Sequence, residues 1–375
     1  MAAEFYSQRN HSLNVVLNTG KDEMVLEDLG YNPDLEDFRK SQSLEKFKVG
    51  RVISEHKERY VVRTSEKEYD AEIIGNLRYS AHQRADFPAV GDWVAISEYD
   101  KEKVLIHKVF PRKTIIERQA VDKQGEKQII ASNIDYAFIV QAVDRDFNIN
   151  RIERFLTICN TSNVSPIILL NKIDLIDKIK LSNLIRKVKE RIQKIPVIAI
   201  SNETNKGIVE LNDKMEKGKT YCLLGSSGVG KSTLLNNLSG KEIMQTNAIS
   251  TSTNKGKHIT SHRELIILGN GAILIDNPGM REVGITNSTD GIEKTFKRIL
   301  ELSEDCKFKD CTHTTEIGCA ILQNLEQGKI DTDFYENYLK MEREKEHFES
   351  TISERRKKDK DLGKLIKQHK KIKKY

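Results

Sequence analysis

Two short motifs stand in an order that few folds allow. Asn171-Lys172-Ile173-Asp174 comes first, Gly225-Ser226-Ser227-Gly228-Val229-Gly230-Lys231-Ser232-Thr233 second, and Asp276-Asn277-Pro278-Gly279 third. In the usual guanine-nucleotide switch the phosphate-gripping loop leads and the Asn-Lys-x-Asp segment trails. All the parts are present here, but rotated, which restricts the chain to a circularly permuted α/β nucleotide-binding fold.

Each motif has a chemical reason. Glycines in the G-x-x-x-x-G-K-[ST] pattern let backbone N–H groups close around phosphates, Lys231 reaches the β/γ-phosphates, and Ser232 ligates Mg²⁺. The apolar run 220–224 reads as a strand before the loop and 232–238 as a helix after it, so the phosphates meet a helix N-terminus. The strand-like run 164–170 delivers Asn171, Lys172 and Asp174 to a carboxyl-end loop, where α/β folds bind ligands. Asp174 can accept from the N1–H and 2-amino donors of guanine, a pair adenine lacks. A further strand at 196–200 ends at Ser201-Asn202, the expected place for a backbone N–H toward guanine O6.

The hydrolytic residues fall between the loop and the third motif. Asp276, after the strand 272–275, can hold the Mg²⁺ shell, and Gly279 offers an amide to the γ-phosphate. Met280 stands where Ras-like enzymes carry a water-orienting Gln, so another group must help. Thr260 occupies the place of a switch threonine that closes on Mg²⁺ and γ-phosphate. His258 lies two residues earlier and can exchange a proton near neutral pH; the alternative is an exposed loop histidine.

A second chemistry sits downstream. Cys306-x4-Cys311-x-His313-x5-Cys319 offers three thiolates and an imidazole, a closed Cys₃His set for one structural zinc with no position left for water. The residues between these ligands are mostly polar and cannot build a core, so metal must organise them. The other two cysteines, 159 and 222, complete no disulfide framework, which suits a reducing cytoplasm. No apolar run approaches the ~20 residues of a membrane span, and no signal-peptide core is seen.

Composition and periodicity divide the rest. Residues 1–45 form an arm, with a charged, helical-looking stretch over 22–48. Residues 46–118 carry five strand-like runs (47–53, 58–64, 69–75, 92–96 and 104–110), which suits a small closed barrel of the oligonucleotide-binding (OB) type; a purely structural barrel is the alternative. The nucleotide domain spans 130–286, with helices expected at 150–160 and 178–193. A helical zinc-binding domain follows at 287–350, with helices at 291–302 and 332–350. The tail, 351–375, holds eleven Lys and Arg against three acidic residues, a net +8 where the whole chain carries +6. Such runs are commonly solvated ends; this concentration suits a polyanion such as RNA phosphates.

With these residues together, the chain over about 45–340 resembles the ribosome small-subunit-dependent GTPase family (RsgA, also called YjeQ or YloQ). The segments 256–264 and 276–282 look like that family's switches. The resemblance implies a circularly permuted P-loop GTPase domain, preceded by an OB-type barrel and followed by a zinc domain. It further implies a cytoplasmic, monomeric GTP hydrolase acting late in maturation of the 30S subunit, stimulated by it, with 16S rRNA as partner and Mg²⁺ beside GTP. His258 matches the family's proposed catalytic histidine. Ile259 departs from the family's usual threonine, Asn277 replaces a Thr or Ser, and the arm and tail exceed shorter members. Two other readings compete: an RNA-binding module whose nucleotide site only sets a conformation, and a permuted GTPase acting on another target such as the large subunit.

Overall fold

Alternation of apolar and polar residues builds the first unit. Strands β1 (Lys48–His56), β2 (Arg59–Arg63), β3 (Glu68–Ile73), β4 (Trp93–Asp100) and β5 (Lys103–Val109) pair in the order β1-β2-β3-β5-β4. Along β2 and β3, and along β5 as far as Ile106, every second side chain is buried, as a pleated strand with one covered face requires. β4 returns to β1, Lys48 opposite Ile96, and closes the barrel around Val52, Tyr60, Val62, Tyr69, Val94 and Ile106. The short helix α1 of the arm (Pro33–Ser41) precedes the barrel, and α2 (Gly75–Ser80) lies between β3 and β4.

This computed structural model describes residues 24–56, 59–119, 127–144, 147–240, 263–276 and 289–349. His258, Thr260, the 277–288 segment with Gly279 and Met280, residues 1–23 and the tail at 351–375 lie outside the described residues, as does the side chain of Asp276.

The arm is not one long helix. A single 3-10 turn, Leu26–Leu29, ends at Gly30 with φ 88°, and α1 starts afresh at Pro33, capped by the Asn32 side chain accepting from Leu35 N at 3.1 Å. A left-handed glycine stops the turn, and proline, with no N–H to give, suits a first helical position. Leu29, Tyr31 and Leu35 then pack on Val49, Trp93 and Ala95 of β1 and β4 and on Phe110 just after β5.

A two-stranded ribbon, β6 (Ile115–Gln119) with β7 (Lys127–Ser132), leads from the barrel into the second sheet. There β8 (Tyr136–Ala142), β9 (Ser165–Asn171), β10 (Val197–Ala199), β11 (Thr220–Leu224) and β13 (Ile273–Asp276) run parallel in the order β10-β9-β8-β11-β13. Both faces are covered, which is why β8 and β11 are nearly continuous apolar runs. Helices α3 (Ile149–Thr161) and α4 (Lys178–Arg191) cover one face, α5 (Ile208–Asp213) and α6 (Lys231–Ser239) the other. Antiparallel β12 (Arg263–Ile267) pairs with β13 and also with β1, Ser54 opposite Glu264, so barrel and nucleotide domain share one eleven-stranded sheet.

One buried cation fastens the junction. Arg51 is 1% exposed and donates to Leu29 O (2.6 Å), Gly91 O (3.1 Å), Asn133 O (3.0 Å) and Thr220 Oγ1 (2.9 Å). Arm, barrel, ribbon end and β11 therefore meet at one guanidinium.

Helices α7 (Thr289–Thr295), α8 (Lys297–Ser303), α9 (Ala320–Glu326) and α10 (Thr332–Glu349) enclose Ile292, Phe296, Ile299, Ile321 and Tyr338. This unit docks on α3. Thr157 Oγ1 and Asn160 Nδ2 both donate to Thr295 Oγ1, at 3.2 and 2.9 Å. Glu153, buried on α3, accepts from Arg191 Nε of α4 and Asn337 Nδ2 of α10, each at 2.6 Å. Burial pushes the Glu153 carboxyl pKa up, and these two donors oppose that shift.

Candidate nucleotide cleft and metal cluster

The carboxyl ends of β8, β9, β10, β11 and β13 form one edge of the parallel sheet, the edge at which such folds receive ligands. β9 ends at Asn171, β10 leads into Ser201, and β11 leads into Gly225. The rotated chain order thus brings both sequence motifs to one place.

At the base-reading end, Lys172 takes a left-handed conformation (φ 65°) and turns the strand into a 3-10 turn, Ile173–Leu175. That turn exposes Asp174, while Asn171 stays 1% exposed beneath it. Ser201 Oγ donates to Asp174 Oδ1 at 2.5 Å and accepts from Thr204 N, which fixes the carboxylate and the 201–204 turn together. Lys172 Nζ pairs with Asp144 Oδ2 at 2.9 Å. Asn171 Nδ2 donates to Val229 O at 2.8 Å, binding the base-reading motif directly to the phosphate loop.

At the phosphate end, Gly225 (φ 149°) and Gly230 (φ 96°) let the loop pass where no side chain fits. A Cβ on Gly225 would stand 2.4 Å from Val140 O, and one on Gly230 would stand 2.4 Å from Asn171 Nδ2. Gly230 is the N-cap of α6, so the loop opens onto the positive end of a helix dipole. Lys231 Nζ donates to Gly225 O and Ser226 O, at 2.7 and 2.6 Å. Ser232 sits in the first turn of α6, with Thr233 following.

The residues fit a phosphorylated purine. The glycines bring the loop backbone close against Val140 and the base-side asparagines, and Asn202 Oδ1 is buried without a hydrogen-bond partner among the described residues. A buried orphan acceptor is costly unless something else supplies a donor. For Mg²⁺, the expected ligand Ser232 stands at the loop's end in the first turn of α6, while the expected partner Thr260 and the Asp276 side chain fall outside what is described.

The metal cluster is tighter still. The ligand atoms of Cys306, Cys311, His313 and Cys319 all lie within 4.8 Å of one another. Cys306 Sγ and Cys319 Sγ are 3.9 Å apart, and each is 3.6 Å from His313 Nδ1. A tetrahedron with Zn–S of about 2.3 Å and Zn–N of about 2.0 Å has S···S edges near ~3.8 Å and S···N edges near ~3.6 Å. The donor set and its spacing fit zinc.

Two further residues, which sequence spacing did not single out, hold this loop. Glu316 accepts from Thr312 N (2.8 Å), Thr314 N (2.9 Å), Thr315 N (3.0 Å) and the Thr312 hydroxyl; these bonds hold its carboxyl well below the usual range. Tyr335 Oη donates to His313 O at 2.6 Å, supporting a residue held at φ 60°. Asn237, which donates to Asn202 O in the 201–204 turn, was missed because its partner lies far away in sequence, as His313 does from Tyr335. The Glu at 316, directly after Thr312, Thr314 and Thr315, was the one local hint, since an acid there can gather free loop amides.

Fold and cleft define a circularly permuted P-loop GTPase with a Cys₃His cluster. Residues 109–286 match the RsgA GTPase family. The small ribosomal subunit biogenesis GTPase RsgA 2 of Lactiplantibacillus plantarum is 42% identical over 296 residues, 79% of this chain and 83% of that protein. RsgA 1 of Bacteroides thetaiotaomicron is 38% identical over 326 residues, 86% of this chain and 90% of its own. The crystal structure of YjeQ from Thermotoga maritima superposes with a TM-score of 0.57 at 25% identity, over 78% of this chain and 96% of that one. The chain belongs to the RsgA GTPase family, enzymes that hydrolyse GTP.

Proposed function

We propose that this chain is a monomeric, cytoplasmic GTPase that acts in maturation of the small ribosomal subunit, in contact with 16S rRNA. One observation carries the nucleotide reading: the Asn171–Val229 bond joins an Asn-Lys-x-Asp motif to a phosphate loop that follows it in sequence. The relatives' printed names, small ribosomal subunit biogenesis GTPases, support the target.

In this reading Asp174 accepts from guanine N1–H and the 2-amino group, and Lys172 packs beside the base. The Ser201–Asn202 backbone meets O6. The amides of 226–230 and Lys231 hold the α-, β- and γ-phosphates, with Thr233 closing the helix start. Ser232, Thr260 and Asp276 would hold Mg²⁺, which supplies charge neutralisation at the β- and γ-phosphates. Gly279 donates its amide to the γ-phosphate, and His258 positions or deprotonates the attacking water. Zinc at Cys306, Cys311, His313 and Cys319 is structural: one ion per chain, with all four positions taken by protein.

The target is tested by co-sedimentation with isolated small and large subunits, comparing GDP with a non-hydrolysable GTP analogue. Retention on small subunits with the analogue and release with GDP is expected. Equal retention on both subunits would contradict the assignment.

A further inference from the structure

We propose that Asn237 is a positioning residue which, through Asn202, makes the grip on the phosphates depend on the turn that meets the base. The proposal rests on the guanine-nucleotide reading above and deepens it.

Asn237 lies in the second turn of α6, the helix whose N-terminus faces the phosphates. Its Nδ2 donates to Asn202 O at 2.9 Å. The Asn202 side chain reaches back and donates to Gly230 O at 2.8 Å, and its backbone N–H donates to Asn171 Oδ1 at 3.3 Å. The Asn171 amide closes the circuit on Val229 O. Three asparagines thereby bind the base-reading turn to the last two loop residues and to the helix behind them.

Packing makes this circuit stiff. A Cβ on Gly230 would stand 2.8 Å from Asn202 Nδ2 as well as against Asn171, so the two amides press directly on the loop glycine. A displacement of residue 202 cannot be absorbed there and must move Gly230, because close-packed contacts transmit strain. Without Asn237 the turn would keep its bond to Gly230 but lose its anchor on the helix body. The Asn202 peptide that meets the base would then be tied to the helix only through Gly230, and its coupling to the helix would weaken. Asn237 touches no part of a nucleotide in this arrangement; it acts through Asn202.

The test uses the full chain and three nucleotides. Asn237→Leu keeps the branched four-atom side chain and removes the donor; Asn237→Ala serves if that variant fails to fold. Affinities for GDP, GMP and ADP are measured by calorimetry or fluorescent-analogue displacement, together with the melting temperature. The parent should prefer GDP over GMP through its phosphate loop and GDP over ADP through Asp174. In the variant the GDP-to-GMP ratio should fall by about 3–10-fold, the scale of one net hydrogen bond, and the GDP-to-ADP ratio should fall with it. Asn202→Leu keeps the carbonyl that Asn237 meets and cuts a different bond of the same circuit, Asn202 Nδ2 to Gly230 O, so the two changes together should depart from the sum of the single ones. A lowered melting temperature with both ratios unchanged would overturn the proposal and leave Asn237 a packing residue. A parent indifferent to GDP and ADP would instead sink the guanine reading, and the proposal with it.

Discussion

At the nucleotide cleft, Asn171 and Ser201 are almost fully buried and already bonded to protein. In the 306–319 loop the large apolar side chains point outward, Ile317 at 88% exposure and Phe308 at 47%. The cleft is the carboxyl edge of a sheet covered on both faces, so burial of β8, β9 and β11 sets its shape. The loop has no such support: its contribution to the C-terminal core is chiefly its ligands, Cys306, Cys311 and Cys319. One site is shaped by the sheet beneath it; the other has little apolar support besides its own cysteines.

The largest expected effect breaks the second site and spares the first. Changing Cys311→Ser should release zinc and remove on the order of 10 kcal/mol of local folding energy, the scale of zinc-finger peptides. Hydrogen exchange should then show lost protection over 289–349, while GDP affinity stays close to the parent's. Loss of GDP binding alongside the metal would mean that the two sites are one folding unit.

The reciprocal change strikes the cleft alone. The parent should favour GTP over ATP by ~10⁴-fold or more, because adenine leaves the Asp174 carboxylate unmatched. Asp174→Asn should lose most of that preference and gain affinity for xanthosine nucleotides, with zinc content unchanged by elemental analysis. Equal binding of ATP and GTP by the parent would refute the assignment of Asp174.

A smaller effect separates the sheet from both sites. Arg51→Met leaves the carbonyls of Leu29 and Asn133 without their donor, while Gly91 O keeps Asn133 Nδ2, and should cost about 2–4 kcal/mol. The urea midpoint should fall with no change in zinc stoichiometry. An unchanged midpoint would show that the arm and barrel are fastened elsewhere. Glu316→Gln is the mildest. It keeps the shape but weakens the acceptor for the 312–315 amides, and should lower zinc affinity by about 10–100-fold, as outer-shell changes do. Competition with a chromogenic chelator measures it.

How far each region could be read from sequence follows the same division. Local patterns placed the barrel strands, the phosphate loop, the Asn-Lys-x-Asp turn and the four clustered Cys and His side chains of 306–319, because alternation, glycine spacing and Cys/His spacing are short-range signals. The arm's break at Gly30 and Pro33 was also written locally, yet the charged run around it reads as one helix. Pairing of β12 with β1, the Arg51 hub, Asn237 and Tyr335 was not legible. Each depends on a partner far along the chain, Arg51 on Thr220 and Tyr335 on His313, and a single sequence carries no sign of such meetings. The ribbon β6–β7 was missed because its polar residues show no clean alternation.

The central claim is that this chain hydrolyses GTP and that the small ribosomal subunit completes its active site. Multiple-turnover phosphate release from GTP and from ATP, with and without isolated small subunits, tests it most directly. With Met280 in place of a water-orienting Gln, turnover of GTP alone should be slow. Small subunits should accelerate it, on a scale set by the roughly 10³–10⁵-fold that trans-acting groups give other GTPases. His258→Ala should lose most of that stimulation at unchanged GTP affinity. No turnover above background in the presence of small subunits, or equal stimulation of ATP hydrolysis, would contradict the account.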